Sequence, residues 1–113
     1  MIRRSTKNLN RVSTVEQREW ILNWLTVVSP DEPDGTQLVL EPNAHPAAAP
    51  YQKGLYESGV PLTSLSVDDI QGEFERLKEV GVTFTMEPTD VGTAILAVFD
   101  DTCGNLIQIY QEK

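Results

Sequence analysis

The hydrophobic positions of this chain follow two periods, and one stretch is clearly helical. There, apolar side chains recur every three or four residues and fall on one face: Ile70, Phe74, Leu77 and Val80. Asp68 or Asp69 precedes this stretch as an N-cap, and Gly81 follows it where a glycine commonly ends a helix. The pattern therefore predicts a helix over residues 69–80.

Elsewhere the apolar positions are typical of strands. Residues 19–28 are rich in β-branched and aromatic side chains, which favours a strand over the short helix that a capping box at residues 13–16 would open. Further strands are predicted at residues 36–41, 61–67, 82–86, 93–99 and 106–110. Residues 47–58 are predicted to form a short helix or a turn-rich connector. The fold class is therefore α+β, with a curled mixed or antiparallel sheet.

Length, charge and cysteine content limit the functions that the chain can have. Its 113 residues suit a single domain. It carries 9 basic and 17 acidic side chains, a net charge of -8, which argues against nucleic acid and against an anionic membrane surface as partners. A single cysteine excludes an internal disulfide and favours a reducing cytoplasm. The chain has no apolar run of transmembrane length and no apolar stretch that would make its start a secretory signal.

Four short segments, in this order and spacing, resemble the vicinal oxygen chelate superfamily of glyoxalases, bleomycin resistance proteins and extradiol dioxygenases. They are Trp-Leu-Thr-Val-Val-Ser-Pro at 24–30, Leu-Glu-Pro-Asn at 40–43, Val-Asp-Asp-Ile at 67–70, and Phe-Asp-Asp at 99–101 followed by Gly-Asn-Leu-Ile-Gln at 104–108. The resemblance covers about residues 24 to 112. It implies paired βαβββ modules whose curled sheets enclose a cup, often completed by dimerisation.

The same resemblance predicts how the modules divide the chain. Residues 61–113 match a complete second module, and residues 24–60 match part of a first one. Only 23 residues precede Trp24, whereas a strand, a helix and a strand with their loops take roughly 30. We therefore expect a divergent segment over residues 1–23 that lacks or replaces the first strand and its helix.

Family members with a metal hold one divalent ion with four inward-facing His, Gln or Glu side chains. Glu41 matches the glutamate of the first module, Gln108 lies where the second glutamate is usual, and Leu62 occupies the expected histidine position. With this incomplete set we expect no metal in the standard place. A divalent ion such as Zn, Ni, Fe or Mn is the alternative, with the lone histidine, His45, as a further ligand or base. Otherwise Glu41 is a solvated carboxylate, Gln108 bonds a neighbour on the sheet, and His45 is an exposed loop residue.

Strand alternation gives a second set of candidates, for binding a small organic ligand. Gln108 and Tyr110 share a face with Leu106, and Val39 shares one with Gln37 and Glu41. The predicted cup residues are Trp24, Val39, Leu62, Ser64, Gln108 and Tyr110. Alternatively, the aromatic side chains of Trp20, Trp24 and Tyr110 fill a collapsed core or a dimer interface.

Three functions follow from these observations. The first is a protein that sequesters or senses a small molecule in the cup, and the incomplete ligand set favours it and the third function over the second. The second is a metal-dependent lyase, isomerase or dioxygenase with ligands from a second chain. The third is a degenerate domain that mainly dimerises.

Cys103 is not expected to be a nucleophile, because Asp100 and Asp101 beside it disfavour the thiolate. We expect a homodimer, since a shortened first module leaves sheet edges to cover.

Overall fold

The computed structural model describes the backbone of residues 13–17 and 22–113, and the side chains from Thr26 onward. The chain divides into two compact units, residues 1–43 and residues 44–113. Each unit is described by itself. The second unit includes residues 44–60, which the resemblance assigns to the first module.

Three strands of the first unit form an antiparallel sheet. They are β1 (Ser13–Gln17), β2 (Leu22–Val28) and β3 (Gln37–Leu40), in the order β1-β2-β3. In the register of β2 and β3, Thr26 lies opposite Val39. The predicted strand at 36–41 is confirmed, and so is the strand at 19–28 from Leu22 onward, residues 18–21 lying outside the described part. The capping-box helix at residues 13–16 is wrong, because that segment pairs with β2.

The second unit has the predicted strand and helix order. Its elements are α1 (Ala48–Glu57), β4 (Thr63–Ser66), α2 (Ile70–Glu79), β5 (Phe84–Asp90), β6 (Ala94–Asp100) and β7 (Leu106–Glu112). The strands are ordered β4-β7-β6-β5, with β4 parallel to β7 and the other neighbours antiparallel. From β4 onward this is a βαβββ unit with a mixed sheet, so the α+β prediction is confirmed. No helix within the described residues is long and apolar enough to cross a membrane.

Helix α2 begins and ends within one residue of the predicted bounds. The Asp69 carboxylate accepts a hydrogen bond from the Gly72 backbone N–H at 3.1 Å, which satisfies one free donor of the first turn. Ile70, Phe74 and Leu77 are buried as predicted. The predicted burial of Val80 is wrong, because the helix ends at Glu79 and the Val80 side chain is 68% exposed.

The apolar core of this unit lies between α2 and one face of the sheet. The Phe84 ring packs edge-on against Phe74, with ring centroids 4.8 Å apart, and lies 5.6 Å from the ring of Phe99. Ala97 and Ile109 are fully buried beneath the helix. This face is therefore filled by protein side chains, and a ligand site in this unit has to use the opposite face.

Candidate functional site

The sheet face opposite α2 is built by the alternate residues of each strand. Gln108 in β7 lies opposite Ser64 in β4 on one side and Val98 in β6 on the other. Two residues further along β7, Tyr110 lies between Ser66 and Leu96. Because side chains two apart on a strand point the same way, Gln108 and Tyr110 share this face.

Four of the predicted cup residues lie together here. The Gln108 side-chain N–H donates to the Ser64 hydroxyl at 2.8 Å. Leu62 lies two residues before Ser64, is 42% exposed, and its backbone N–H donates to the Leu106 carbonyl at 2.8 Å. Together with Tyr110 they form a surface of mixed polarity.

The other two predicted cup residues belong to the first unit. Val39 is exposed in β3, opposite Thr26. The backbone of Trp24 pairs with Val15, but the Trp24 side chain lies outside the described part, as does Trp20. Their place in a cup therefore stays a prediction.

Helix α1 is fixed to the far end of β6 and the turn after it by polar side chains. The Tyr56 hydroxyl donates to the Asp100 carboxylate. The Gln52 side-chain N–H donates to the Asn105 side-chain oxygen at 2.8 Å and lies 3.1 Å from the Cys103 carbonyl. Gly59, with a φ of +71°, ends the helix in the left-handed region that favours glycine. These contacts hold the C-terminal end of α1 beside the sheet.

The hydrogen bond between Tyr56 and Asp100 changes the acidity of both groups. Donation from Tyr56, and from the Thr102 backbone N–H, lowers the pKa of the Asp100 carboxyl. The same bond, together with the negative charge of Asp100, raises the pKa of the Tyr56 phenol. At neutral pH this pair is therefore a neutral phenol on a carboxylate, and the negative charge is retained beside α1.

A cavity of about 420 Å³ lies between the end of α1 and this face of the sheet. It is lined by Tyr56, Glu57, Gly59, Thr85, Met86, Val98 and Leu106. Its apolar wall comes from β5, β6 and β7, and its polar groups come mostly from α1. Val98 lies opposite Gln108, so the cavity adjoins the Gln108 and Ser64 pair.

A β-bulge brings Met86 into this cavity. Phe84 lies opposite Phe99 whereas Met86 lies opposite Val98, because the register of β5 and β6 shifts between them. Val98 and Phe99 are adjacent and point to opposite faces, so the shift sends Phe84 towards α2 and Met86 towards the cavity. Simple alternation predicts one shared face for Phe84 and Met86, and that prediction is wrong.

The second unit is strongly acidic, and the cavity has no basic side chain among its lining residues. Residues 44–113 carry eleven acidic and four basic side chains. Arg76 and Lys78 lie on α2, at the other face of the sheet. Lys113 pairs with Asp90 at 2.7 Å, and Lys53, one turn before Glu57 on α1, lies 3.7 Å from the Glu57 carboxylate. The second unit therefore carries seven more acidic than basic side chains.

The predicted metal ligands do not form a ligand set in the described residues. His45 is exposed, and its Nδ1 accepts the Ala47 backbone N–H at 3.0 Å just before α1. Gln108 bonds Ser64, and Glu41 is exposed in the first unit. Within the described residues no three His, Cys, Asp or Glu side chains are grouped to hold a metal ion. A leucine at 62 and an amide at 108 leave the two ligand positions of this sheet without a charged group, so these positions do not fit the ion that members of the family with a metal bind.

Comparison with known sequences now identifies the family. The sequence model of the Glyoxalase/Bleomycin resistance protein/Dioxygenase superfamily matches residues 10–109. The chain belongs to this superfamily. This confirms the resemblance inferred from the four segments, and the βαβββ unit is the module that this resemblance implies.

This superfamily member is similar in sequence to a protein of Bacillus subtilis and similar in fold to two solved structures. It is 63% identical over 89 residues to YurT of Bacillus subtilis (strain 168), an uncharacterized protein, covering 79% of this chain and 70% of YurT. UcmS2 shares 27% identity at a TM-score of 0.68, with 95% of this chain and 84% of UcmS2 covered. TnmS3, described as an antibiotic binding protein from Streptomyces sp. CB03234, shares 25% identity at a TM-score of 0.63, over 90% of this chain and 76% of TnmS3.

Proposed function

We propose that this glyoxalase-like protein binds a small organic molecule on the sheet face opposite α2, and that it sequesters or senses that molecule. The observation that carries the proposal is the cavity beside Gln108. Its volume of about 420 Å³ lies within the usual range of small-molecule sites, roughly 300–1,000 Å³. The binding activity ascribed to TnmS3, a relative with the same fold, supports the same kind of function here. The single cysteine of this chain supports a cytoplasmic location for the protein.

The chemistry of this face suits binding better than metal catalysis. Val98, Leu106 and Met86 offer apolar contact in the cavity, while Gln108, the ladder partner of Val98, and Ser64 offer hydrogen-bonding groups on the same sheet face. An apolar wall with a few placed polar groups is typical of a site that holds an organic ligand. We include Leu62 and Tyr110 in this site, and Val39 and Trp24 remain proposed contributors from the first unit.

We also propose that the protein is a homodimer. The three strands of the first unit repeat the order and directions of β5, β6 and β7. In the second unit β7 also pairs with β4, whereas the outer edge of β3 has no partner strand among the described residues. Leu38, Val39 and Leu40 are all exposed along it. Soluble proteins usually cover such an edge, and a second copy is the cover proposed here.

Ligand-dependent thermal stability tests the binding proposal. A compound that binds the native state raises the melting temperature by mass action. Ser64→Trp would obstruct the face beside Gln108 and abolish the rise. Glu75→Trp, on the exposed side of α2, is the matched control and should leave the rise intact. If no compound in a broad screen shifts the melting temperature, or if both variants respond alike, the proposal is wrong.

Metal analysis of the purified protein separates binding from metal-dependent catalysis. We expect no stoichiometric Zn, Ni, Fe or Mn. A stoichiometric ion that is lost in Glu41→Ala would instead support a lyase, isomerase or dioxygenase of the glyoxalase type.

A further inference from the structure

We propose that the ligand of this site is an organic cation, with an apolar body in the cavity and an ammonium group at the end of α1. This inference rests on the proposed function, because it names the chemical class that the same face would select. It comes from the distribution of charge around the cavity and from the side chains of its wall.

The polar end of the cavity carries negative charge. Glu57 lines it directly, and Tyr56, which also lines it, is hydrogen-bonded to the carboxylate of Asp100. Asp100 lies opposite Leu106 in the β6 and β7 ladder, so its charge is next to a lining residue. A carboxylate or phosphate on a ligand would meet like charge there, whereas an ammonium group would gain a charge-assisted hydrogen bond.

Lys53 competes only weakly with a ligand ammonium group for the Glu57 carboxylate. Lys53 is one turn from Glu57 on α1, with its ammonium nitrogen 3.7 Å from the carboxylate. Both side chains are more than half exposed, and exposed ion pairs of this kind contribute little to stability. A ligand ammonium group whose apolar body occupies the cavity can therefore take the place of Lys53 at Glu57.

The wall of the cavity defines the other part of the ligand. Met86, Val98 and Leu106 present carbon and sulfur surface, and Thr85 has its hydroxyl 3.5 Å from the Val98 carbonyl. A thioether side chain adapts its shape to aromatic and aliphatic groups. The expected ligand is therefore amphipathic, with an aromatic or aliphatic body and an amine at one end.

Three probes with one apolar body test this inference. They are 4-phenylbutylamine, 4-phenyl-1-butanol and 4-phenylbutyrate, which differ in the charge of the terminal group. The chain has two methionines, Met1 and Met86, so protein labelled with ¹³C at the methionine methyl groups reports on the cavity through one of two signals. Titration of each probe into the full chain gives its Kd from the shift of the Met86 signal.

We expect the amine to bind about two- to fivefold more tightly than the alcohol at low salt, the upper part of the range for an exposed ion pair. The anion should bind more weakly than the alcohol, and added salt should reduce the preference for the amine. Glu57→Gln and Asp100→Asn should each lower that preference while the alcohol still binds. Glu79→Gln, which removes one charge from the end of α2, should leave it unchanged.

The outcomes that overturn the inference are distinct from those that overturn the proposed function. If the alcohol or the anion binds as tightly as the amine, the class of ligand is wrong and the site remains. The class is also wrong if the compounds that stabilise the protein in the broad screen are uncharged or anionic. If Glu79→Gln lowers the preference as much as Glu57→Gln does, the overall charge of the chain, and not this site, selects the cation.

Discussion

Tyr56 in α1 donates a hydrogen bond to the carboxylate of Asp100 at the end of β6, joining two residues 44 positions apart. This bond and the contacts of Gln52 with the turn after β6 fix α1 beside the sheet. None of the residues of α1 is buried. The position of this helix, and with it one wall of the cavity, therefore depends on polar contacts and not on an apolar core.

Tyr56→Phe should lower the melting temperature at neutral pH, and the loss should depend on pH. The pKa of the Asp100 carboxyl is lowered from 3.8 in the folded chain, so its contribution is present above pH 3.8 and disappears as the pH falls through the folded-state pKa. The pKa of the Tyr56 phenol is raised from 10.0, so its contribution is present below pH 10.0 and disappears as the pH rises further.

The measurement is thermal unfolding of both proteins across this pH range. The difference between the melting temperatures of the wild-type protein and Tyr56→Phe should be largest between pH 3.8 and pH 10.0. It should shrink as the pH moves below or above this range. Tyr51→Phe is the matched control, because Tyr51 is on the same helix and is 61% exposed. An equal effect of the two substitutions, or a difference that stays constant with pH, would show that the bond to Asp100 is not responsible.

Leu77→Ala should destabilise the protein far more than Val80→Ala. Leu77 lies on the buried face of α2 and is 1% exposed, and truncating a buried leucine costs roughly 2–5 kcal/mol of unfolding free energy. Val80 projects into solvent after the helix ends, and substitutions at such positions usually change stability by no more than about 0.5 kcal/mol. Urea unfolding of the two variants decides the point, since similar losses would mean that Val80 belongs to the buried face after all.

Asp69→Ala should remove the N-cap of α2 and cost about 1 kcal/mol. Its carboxylate accepts the Gly72 N–H, an interaction that alanine cannot replace. Asp68→Ala removes the same charge one residue earlier and is the control, for which a much smaller loss is expected. Chemical denaturation at neutral pH measures both, and equal losses would assign the effect to net charge in place of capping.

Leu38→Lys should convert the proposed homodimer to a monomer. A lysine on an edge strand carries charge to a surface that would have to be desolvated for strands to pair. Val91→Lys alters an exposed apolar residue of the second unit and should leave the dimer intact. Light scattering at micromolar concentration measures the mass of each protein. A monomeric wild-type chain would refute the dimer.

The sequence predicts the elements better than it predicts the site, and α2 and Met86 show why. Helix α2 carries its own signals, namely an apolar stripe, an aspartate cap and a glycine after the last turn. Helix α1 lacks a buried stripe and is positioned by partners 44 to 53 residues away, which no local pattern encodes. Met86 faces the cavity because of a bulge in β5, and an alternating pattern contains no signal for the extra residue.

Some features of the cup residues can be predicted from a single strand, and others depend on the assembled sheet. Gln108 and Tyr110 can be placed on one face by counting along a single strand. The pairing of Gln108 with Ser64 needs the parallel register of β4 and β7, which is fixed only when the sheet is assembled. The cavity beside them combines residues from α1 and three strands, so its existence is a property of the tertiary fold.

The position of β7 inside the sheet also constrains how the protein is made. β7 is the last strand in the chain, yet it lies between β4 and β6 and provides the hydrogen-bonding partners of both. During synthesis, β4 has no neighbouring strand in its sheet to pair with until β7 has left the ribosome, and their pairing then closes a long stretch of chain. We therefore expect the second unit to fold after translation reaches its final strand, with the β5 and β6 hairpin as its earliest partner-independent structure.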